Sequence, residues 1–268
     1  MERPSYIDWI VEETGITIKD GIPIKCYKID YTDDKNILDE WALHIRRNYI
    51  EDETLLEDAR INGMSVEQYL HDYVIPQRNE YLGSSARSSD ITEILISDLL
   101  EFVFNYSVPR YKQKNRSGKN NSEHGTDVIA YKFFNSNKSP SEKDKLIAAE
   151  VKAALTKSSY APLENAIIDS KKDEHRLART INYCRKKLEE MGNKEESKEV
   201  SRFLLKPDNN YILEFAAAGI SSRQTVDQEI ELTVSGEQLQ INKGQKIFYI
   251  HGNTLMDLAH KIYERCKK

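Results

Sequence analysis

The chain has 268 residues, of which 39% are hydrophobic and 31% are charged, and its 39 basic and 44 acidic residues leave a formal net charge of −5. This length suits one large domain, or one domain with an appendage, and it is sufficient for a buried core. The composition excludes a fully disordered chain, a collagen-like chain and a histone-like polycation. Any contact with nucleic acid must therefore use local positive charge.

Cysteine use and hydropathy indicate the compartment. The three cysteines, Cys26, Cys184 and Cys266, are too few for a disulfide framework, and they form no CxxC pair of the kind that binds zinc. No window approaches the roughly 18 consecutive apolar residues of a membrane-spanning helix. The chain also starts without the apolar stretch of a secretory signal. These features predict a cytoplasmic protein without a membrane span.

The first eighty residues predict a mixture of strand and helix. A loose alternation over residues 22–29 favours a strand, and apolar residues at helical spacing favour helices over 36–49 and 64–74. The polar run 82–89 is rich in serine and predicts a turn. We therefore expect an N-terminal α/β extension over residues 1–82, packed on a domain that covers residues 83–268.

A long polar connection follows the next predicted helix. That helix covers residues 90–104 and is apolar on two sides, so we expect it to be buried. The connection, residues 106–126, has no acidic residue before Glu123. Its basic residues are Arg110, Lys112, Lys114, Arg116 and Lys119. Loops of this length inside a domain are uncommon and often functional, but a merely solvated loop remains an alternative to a phosphate-contacting arm.

The remaining elements predict a sheet covered by helices. Strands are predicted over 127–134, 145–155, 230–234 and 246–250, helices over 162–170, 173–191 and 255–266, a charged solvated stretch over 195–201, and either helix or strand over 211–220. The continuous apolar run in the second of these strands favours a central position in the sheet. This order predicts an α/β fold with a central mixed sheet flanked by helices.

Two charged side chains stand in that central strand, at Glu150 and Lys152. Residues two apart in a strand share a face, so these two side chains point together and Val151 points away. A buried charge is costly unless a partner or a metal ion balances it. Asp127, at the start of the neighbouring predicted strand, could converge with them. The alternatives are an edge-strand ion pair and, for Asp127, a simple turn residue after Gly125.

Hydrolysis of a phosphodiester requires such a set of side chains. Carboxylates hold Mg²⁺, which activates a bound water, and a lysine orients the attack and stabilises the developing charge. Glu93 is a further candidate acid, because it falls on an apolar strip of its helix. Its alternative role is in a helix cap with Asp90, since the two have capping-box spacing. His124, beside the Gly125 turn, is a candidate to assist the site.

These motifs together resemble the core of the PD-(D/E)XK nucleases. Gly125-Thr126-Asp127 matches the GxD form of the first strand motif, and Glu150-Val151-Lys152 follows as ExK after a helix that carries Glu93. The wider pattern over residues 87–191 is similar to the HamA family, the nuclease subunits of the Hachiman antiphage defence system. It comprises RSSDITEILISDLLEF, a basic loop after Pro109, EHGTDVIAY and LIAAEVKAAL.

The resemblance implies a restriction-endonuclease-like core and a role for each matching residue. Asp127, Glu150 and the backbone carbonyl of Val151 would be ligands of Mg²⁺, for which Mn²⁺ would substitute. Lys152 would be the catalytic lysine, and Glu93 would complete the site. The basic residues Arg110, Lys112, Lys114, Arg116 and Lys119 would contact DNA.

The resemblance also implies a partner. HamA-like proteins are paired with a superfamily 2 helicase (HamB-like), which restrains the nuclease. This chain has no GxxxxGK[ST] loop, so an ATP-driven step would belong to that helicase. The expected function is therefore metal-dependent DNA cleavage in antiviral defence. Two alternatives remain: a catalytically inactive DNA-binding or regulatory subunit with the same core, and a helical adaptor that binds only proteins.

Overall fold

A single mixed sheet organises the molecule. The computed structural model describes residues 2–114, 116–123, 125–156, 161–204, 210–223, 235–239 and 241–267. The strands of the sheet are β1 (Ile10–Glu13), β2 (Lys25–Ile29), β3 (Val128–Lys132), β4 (Lys145–Ala154), β5 (Ile212–Ser221) and β6 (Lys246–Gly252). Their order is β1-β2-β6-β5-β4-β3. The two outer pairs are antiparallel and the inner pairs are parallel.

Helices cover both faces of this sheet. In the described residues they are α1 (Lys35–Tyr49), α2 (Asp52–Ile61), α3 (Val66–Tyr69), α4 (Gly83–Asp98), α5 (Pro162–Ser170), α6 (Asp173–Glu190), α7 (Lys194–Ser201), α8 (Gly236–Leu239) and α9 (Leu255–Arg265). A 3₁₀ turn, Ser5–Trp9, precedes β1, and α3 and α4 each continue as a π-helical turn. None of these helices combines the length and apolarity needed to cross a bilayer.

The two faces of β4 belong to different cores. Ala149 and Val151 pack in the same core as side chains from α1, α4 and α9, whereas Leu146 and Ala148 pack with α6 and α7. This alternation follows from the two-residue period of a strand. Glu150 therefore lies on the α6 side of the sheet. The predicted α/β fold with a central mixed sheet is confirmed, and it is compatible with a restriction-endonuclease-like core.

A close approach between α5 and β5 explains one glycine of the sheet. A Cβ atom at Gly219 would lie 2.6 Å from backbone atoms of Leu163, the second residue of α5. Any larger residue would push the helix away from the strand. The small residues of β5 therefore set how closely this helix layer packs against the centre of the sheet.

The N-terminal segment contributes two strands to the same sheet. β2 pairs with β6 in parallel, from Lys25 opposite Phe248 to Ile29 opposite Gly252. β1 then pairs with β2 and forms the outer edge. Residues 1–82 thus share backbone hydrogen bonds with the C-terminal part of the chain. Neither β1 nor α2 was predicted from the sequence.

One predicted turn and one stretch predicted as charged and solvated lie in helices. Residues 82–89 were predicted as a turn, but α4 begins at Gly83. The weak helix propensity of this serine-rich run is overridden by packing, since the side chain of Arg87 is fully buried and donates to the carbonyl of Pro76 at 2.7 Å. The stretch 195–201, predicted as charged and solvated, lies in α7, of which Ser197 and Val200 are buried and Val200 packs in the α6 core.

Other elements match or extend the predictions. The ambiguous segment 211–220 is strand β5, and the helices predicted over 162–170 and 173–191 are α5 and α6. β4 has the predicted position inside the sheet, between β3 and β5. The strand predicted over residues 230–234 lies outside the described residues.

Candidate active site

A glycine turn held by α6 presents Asp127. Gly125 has a φ angle of +121°, and a Cβ atom there would lie 2.9 Å from Oγ1 of Thr180, so a side chain at this position would be strained and crowded. Oγ1 of Thr180 also accepts a hydrogen bond from the backbone N–H of Thr126 at 3.2 Å. The hydroxyl of Thr126 in turn donates to Asp173 at 2.8 Å. The GxD motif is thus fixed on α6.

Both oxygens of Asp127 are engaged. Oδ2 accepts the backbone N–H of Val151 at 2.9 Å, and Oδ1 accepts the ammonium of Lys112 at 2.9 Å. The ladder between β3 and β4 ends at the pair Val128 and Ala149, so Val151 lies beyond it. The N–H and C=O of one strand residue point to the same side. The carbonyl of Val151 therefore points towards the Asp127 side of β4.

Glu150 and Lys152 share one face of β4, as predicted. The ammonium of Lys152 donates to Oε1 of Glu150 at 2.6 Å and lies 3.1 Å from Oδ2 of Asp169. The guanidinium of Arg176 binds the other oxygen of Glu150. Burial raises the pKa of Glu150 to about 7, and the charge of Asp127 adds to the rise. A buried acid is thus held between two cations.

Glu93 approaches from α4 and shares a cation with Asp127. The ammonium of Lys112 lies 3.2 Å from Oε2 of Glu93, and the amide of Gln113 donates to the same oxygen at 3.2 Å. Burial raises the pKa of Glu93, and the charge of Lys112 opposes the rise. The capping-box alternative is wrong, because α4 begins seven residues before Asp90 and both acids lie inside the helix.

The donor chemistry of these residues suits a hard divalent cation. Lys112, whose side chain is 6% exposed, shows that the carboxylates of Glu93 and Asp127 can share one positive charge. Carboxylate and carbonyl oxygens are the ligands that Mg²⁺ prefers. The oxygen atoms of these residues do not yet surround a single point, however. Glu93, Asp127 and Glu150 do not bring three ligand atoms within 4.8 Å of one another in the described part of the chain.

A cleft gives access to four of the predicted site residues. It has a volume of about 330 Å³, and it is lined by Glu93, Asp127, Val151, Lys152, Ala153 and the hydroxyl side chains Ser85, Ser88, Ser89, Thr92 and Ser122. Glu150 is 3% exposed and is not part of this lining. Clefts of about 410 and 820 Å³ adjoin it and share serines of α4 with it. Together they form a groove along the start of α4.

The basic loop is neither solvated nor free. Its pairs are Arg110 with Asp98 and Glu101, Lys112 with Glu93 and Asp127, Lys114 with Glu51, Arg116 with Asp90, and Lys119 with Glu80. All five basic side chains are at most 12% exposed. The loop runs antiparallel to α4, and three of its cations match acids of that helix in reverse order. Contact of these five residues with DNA stays a prediction.

Three site residues were missed by the sequence reasoning. Arg176 bridges Glu150 and Asp173 and donates to the latter at 2.7 Å, while Asp169 binds Lys152. The three-residue spacing of Asp173 and Arg176 on a helix was a usable signal, because such residues share a face. Nothing in the sequence placed that face against Glu150. His124 lies outside the described residues.

One protein family matches nearly the whole chain. The family model for HamA matches residues 4–266. The chain belongs to the HamA family. The resemblance drawn from residues 87–191 is thus confirmed, and the match extends through both ends of the sheet. HamA membership supports a subunit of the Hachiman antiphage defence system. A search of the curated proteins finds no match.

Proposed function

We propose that this HamA protein is a metal-dependent deoxyribonuclease that hydrolyses phosphodiester bonds. The observation that carries the proposal is the cleft in which Glu93, Asp127, Val151 and Lys152 converge, beside the buried Glu150. A carboxylate pair that shares a buried cation, next to a lysine on the same strand as a third carboxylate, matches the needs of this reaction. Family membership supports the role in antiphage defence.

Each residue has a defined task in the proposal. Asp127, Glu150 and the carbonyl of Val151 would hold Mg²⁺, or Mn²⁺ in its place. The bound ion supplies Lewis acidity and a water of lowered pKa. Lys152 lines the cleft and donates to Glu150 at 2.6 Å, so its ammonium can orient the attacking water and stabilise the charge on the phosphate.

Two further residues support this arrangement. Arg176 holds the second oxygen of Glu150 and fixes the orientation of that carboxylate. Glu93 faces the same cleft, and burial raises the pKa of its carboxyl group, although the charge of Lys112 opposes the rise. Glu93 can therefore donate or accept a proton at the edge of the site.

The test is cleavage of DNA by the full chain with and without Mg²⁺, alone and with its helicase. Glu150→Ala and Lys152→Ala should each lower cleavage by roughly 10²-fold or more. Lys198→Ala is the matched control, because Glu196-Ser197-Lys198 repeats the ExK spacing on α7, away from the cleft. Full activity of both site variants would refute the proposal.

The partner in this proposal is a superfamily 2 helicase. The chain itself carries no GxxxxGK[ST] loop, and its basic loop is balanced by internal acids, so both ATP use and a strong grip on DNA would come from the helicase. We propose the cytoplasm as the compartment, since Cys26, Cys184 and Cys266 are free and buried.

A non-catalytic DNA-binding subunit is the second candidate. The observation in its favour is the balance of charge in the site, where Lys112, Lys152 and Arg176 already neutralise the three carboxylates. Binding of DNA without cleavage under Mg²⁺, Mn²⁺ or any other divalent ion would favour this candidate over the nuclease.

A further inference from the structure

We propose that Glu13, Cys26 and His251 form a second metal site, which binds Zn²⁺ or a similar thiolate-preferring transition metal ion. In the described residues they are the one group whose carboxylate, thiol and imidazole ligand atoms all lie within 4.8 Å of one another. The site lies at the β1–β2–β6 end of the sheet, whereas the candidate active site lies at β3 and β4. It does not rest on the proposed nuclease activity.

Strand register assembles this site. Glu13 lies opposite Cys26 in the antiparallel pair of β1 and β2. Lys28, two residues after Cys26, lies opposite His251 in the parallel pair of β2 and β6. Residues two apart in a strand share a face, so all three ligands project from the same face of the sheet. Nε2 of His251 lies 2.8 Å from Oε2 of Glu13, and Sγ of Cys26 lies 3.4 Å from the same oxygen.

The contact of the second ring nitrogen, Nδ1, is one that histidine ligands of metals commonly make. Nδ1 of His251 lies 3.3 Å from the backbone carbonyl of Arg223, which can only accept a hydrogen bond. Nδ1 can donate to this carbonyl, while a proton on Nε2 joins the ring to the carboxylate of Glu13 at 2.8 Å in the metal-free protein, and a bound metal ion would take the place of that proton. Ligand histidines in metalloproteins are typically oriented by such a bond from the nitrogen that does not bind the metal.

Burial and charge fit a bound ion. Cys26 and His251 are fully buried, whereas the side chain of Glu13 is 36% exposed and gives the group a path to solvent. A thiolate and a carboxylate would neutralise a divalent ion. Burial raises the pKa of the Cys26 thiol to about 12 in the metal-free protein, so binding must release the thiol proton.

The type of ligand selects the type of metal. Thiolate and imidazole are borderline or soft ligands that favour Zn²⁺ over Mg²⁺, and three protein ligands with one water make a tetrahedral site. Because the ligands come from β1, β2 and β6, the ion would join the N-terminal strands to the last strand of the sheet. Its expected effect is therefore on the stability of this end of the molecule.

Cobalt replacement tests the proposal. The full chain, stripped by a chelator and kept reduced, is titrated with Co²⁺ and then with Zn²⁺. We expect one equivalent of Co²⁺ to give the thiolate-to-cobalt charge-transfer absorption with tetrahedral ligand-field bands, and Zn²⁺ to abolish both. Cys26→Ser should remove the charge-transfer band. Cys266→Ser is the matched control, because Cys266 is equally buried but lies outside the group.

A second variant keeps the test valid if Cys26→Ser does not fold. Glu13 is partly exposed, so Glu13→Gln should fold and should weaken Co²⁺ binding by roughly tenfold or more. The proposal is overturned if the folded wild type shows no thiolate band, or if the band persists in Cys26→Ser. Binding of Co²⁺ without that band counts as adventitious surface binding and also overturns it.

Discussion

At one end of the sheet, Glu93, Asp127 and Glu150 are balanced by the cations of Lys112, Lys152 and Arg176, whereas at the other end Glu13 faces a buried imidazole and a buried thiol. We call the first region the acidic edge and the second, Glu13 with Cys26 and His251, the Cys–His edge. The acidic edge has hard oxygen ligands that are not closed around one point. The Cys–His edge has three ligand atoms already within 4.8 Å.

The difference follows from the charges that each edge must accommodate without metal. Carboxylates that face one another repel, so cations lie between them in the metal-free protein, and these cations occupy space that a metal ion would take. A thiol and an imidazole donate hydrogen bonds to a carboxylate and can therefore approach it closely. A site for an exchangeable Mg²⁺ can therefore be held open by internal ion pairs, whereas a site for a softer ion can be formed in advance.

The largest expected effect concerns a buried ion pair of α4, Asp90 with Arg116, whose charges act on Glu93 of the acidic edge. Arg116 binds both oxygens of Asp90, and both side chains are at most 3% exposed. Arg116→Met leaves this aspartate buried without its cation, so we expect a loss of ~3–5 kcal/mol in the free energy of unfolding. Glu13→Gln at the Cys–His edge should cost only about 1 kcal/mol in metal-free protein.

Urea denaturation of the metal-free variants measures both values. Lys114→Met is the control within the same loop, because its partner Glu51 is 57% exposed and can be solvated when the lysine is lost. Equal losses in Arg116→Met and Glu13→Gln would remove the proposed contrast between the edges.

A second, smaller effect concerns the cation between Glu93 and Asp127. Lys112→Met removes the positive charge that competes with a metal ion, so we expect Mg²⁺ to bind roughly tenfold more tightly, which corresponds to about 1.4 kcal/mol. The same variant should be less stable than the wild type without metal, because the two carboxylates then repel. Calorimetric titration with Mg²⁺, with Lys114→Met as control, measures this change. An unchanged or weaker affinity would contradict it.

The smallest effect is on the pH dependence of stability. Burial alone would raise the pKa of Asp98, but Arg110 and His44 lower it overall. A carboxyl group with a lowered pKa in the folded state stabilises the protein above its unfolded pKa, and this contribution is lost as pH falls through the folded pKa. Asp98→Asn should therefore flatten the decline in stability below about pH 4.

The Cys–His edge provides the comparison for this measurement. Burial raises the pKa of Glu13, but hydrogen bonds and charge from His251 lower it overall, so Glu13→Gln should flatten the same acid limb. The effect should be smaller, because Glu13 is partly exposed and Asp98 is not. Urea midpoints between pH 6 and pH 3 measure both. A larger change in Glu13→Gln would contradict the ranking.

Local patterns in the sequence carried most of the candidate active site. The shared face of Glu150 and Lys152 follows from strand alternation, and the hydrogen bond between them bears this out. Asp127 was found from the Gly125 turn before an apolar strand. Lys112 was assigned to DNA contact, since a loop without periodicity gives no information about which acids its cations will meet. Its position between Glu93 and Asp127 depends on tertiary structure alone.

The Cys–His edge could not be predicted from the sequence. Cys26 and His251 lie 225 positions apart, and neither belongs to a motif with metal-binding spacing. The absence of a CxxC pair excludes only sites whose ligands are close together in the sequence. The register of β2 against β6, which no local pattern encodes, brings these residues together. The turn predicted over the serine-rich start of α4 was wrong for a related reason. The burial of Arg87 there overrides the turn propensity of the serines.

The parallel pairing of β2 with β6 also governs how the protein can fold during synthesis. β2 ends at Ile29 and β6 begins at Lys246, so more than two hundred residues leave the ribosome before the two strands can pair. Until then the edges of β2 and β5 carry unpaired backbone groups, which can associate with other chains. Contacts of such high sequence separation form slowly. The last strand to be made therefore closes the sheet, by pairing with β2 on one side and β5 on the other.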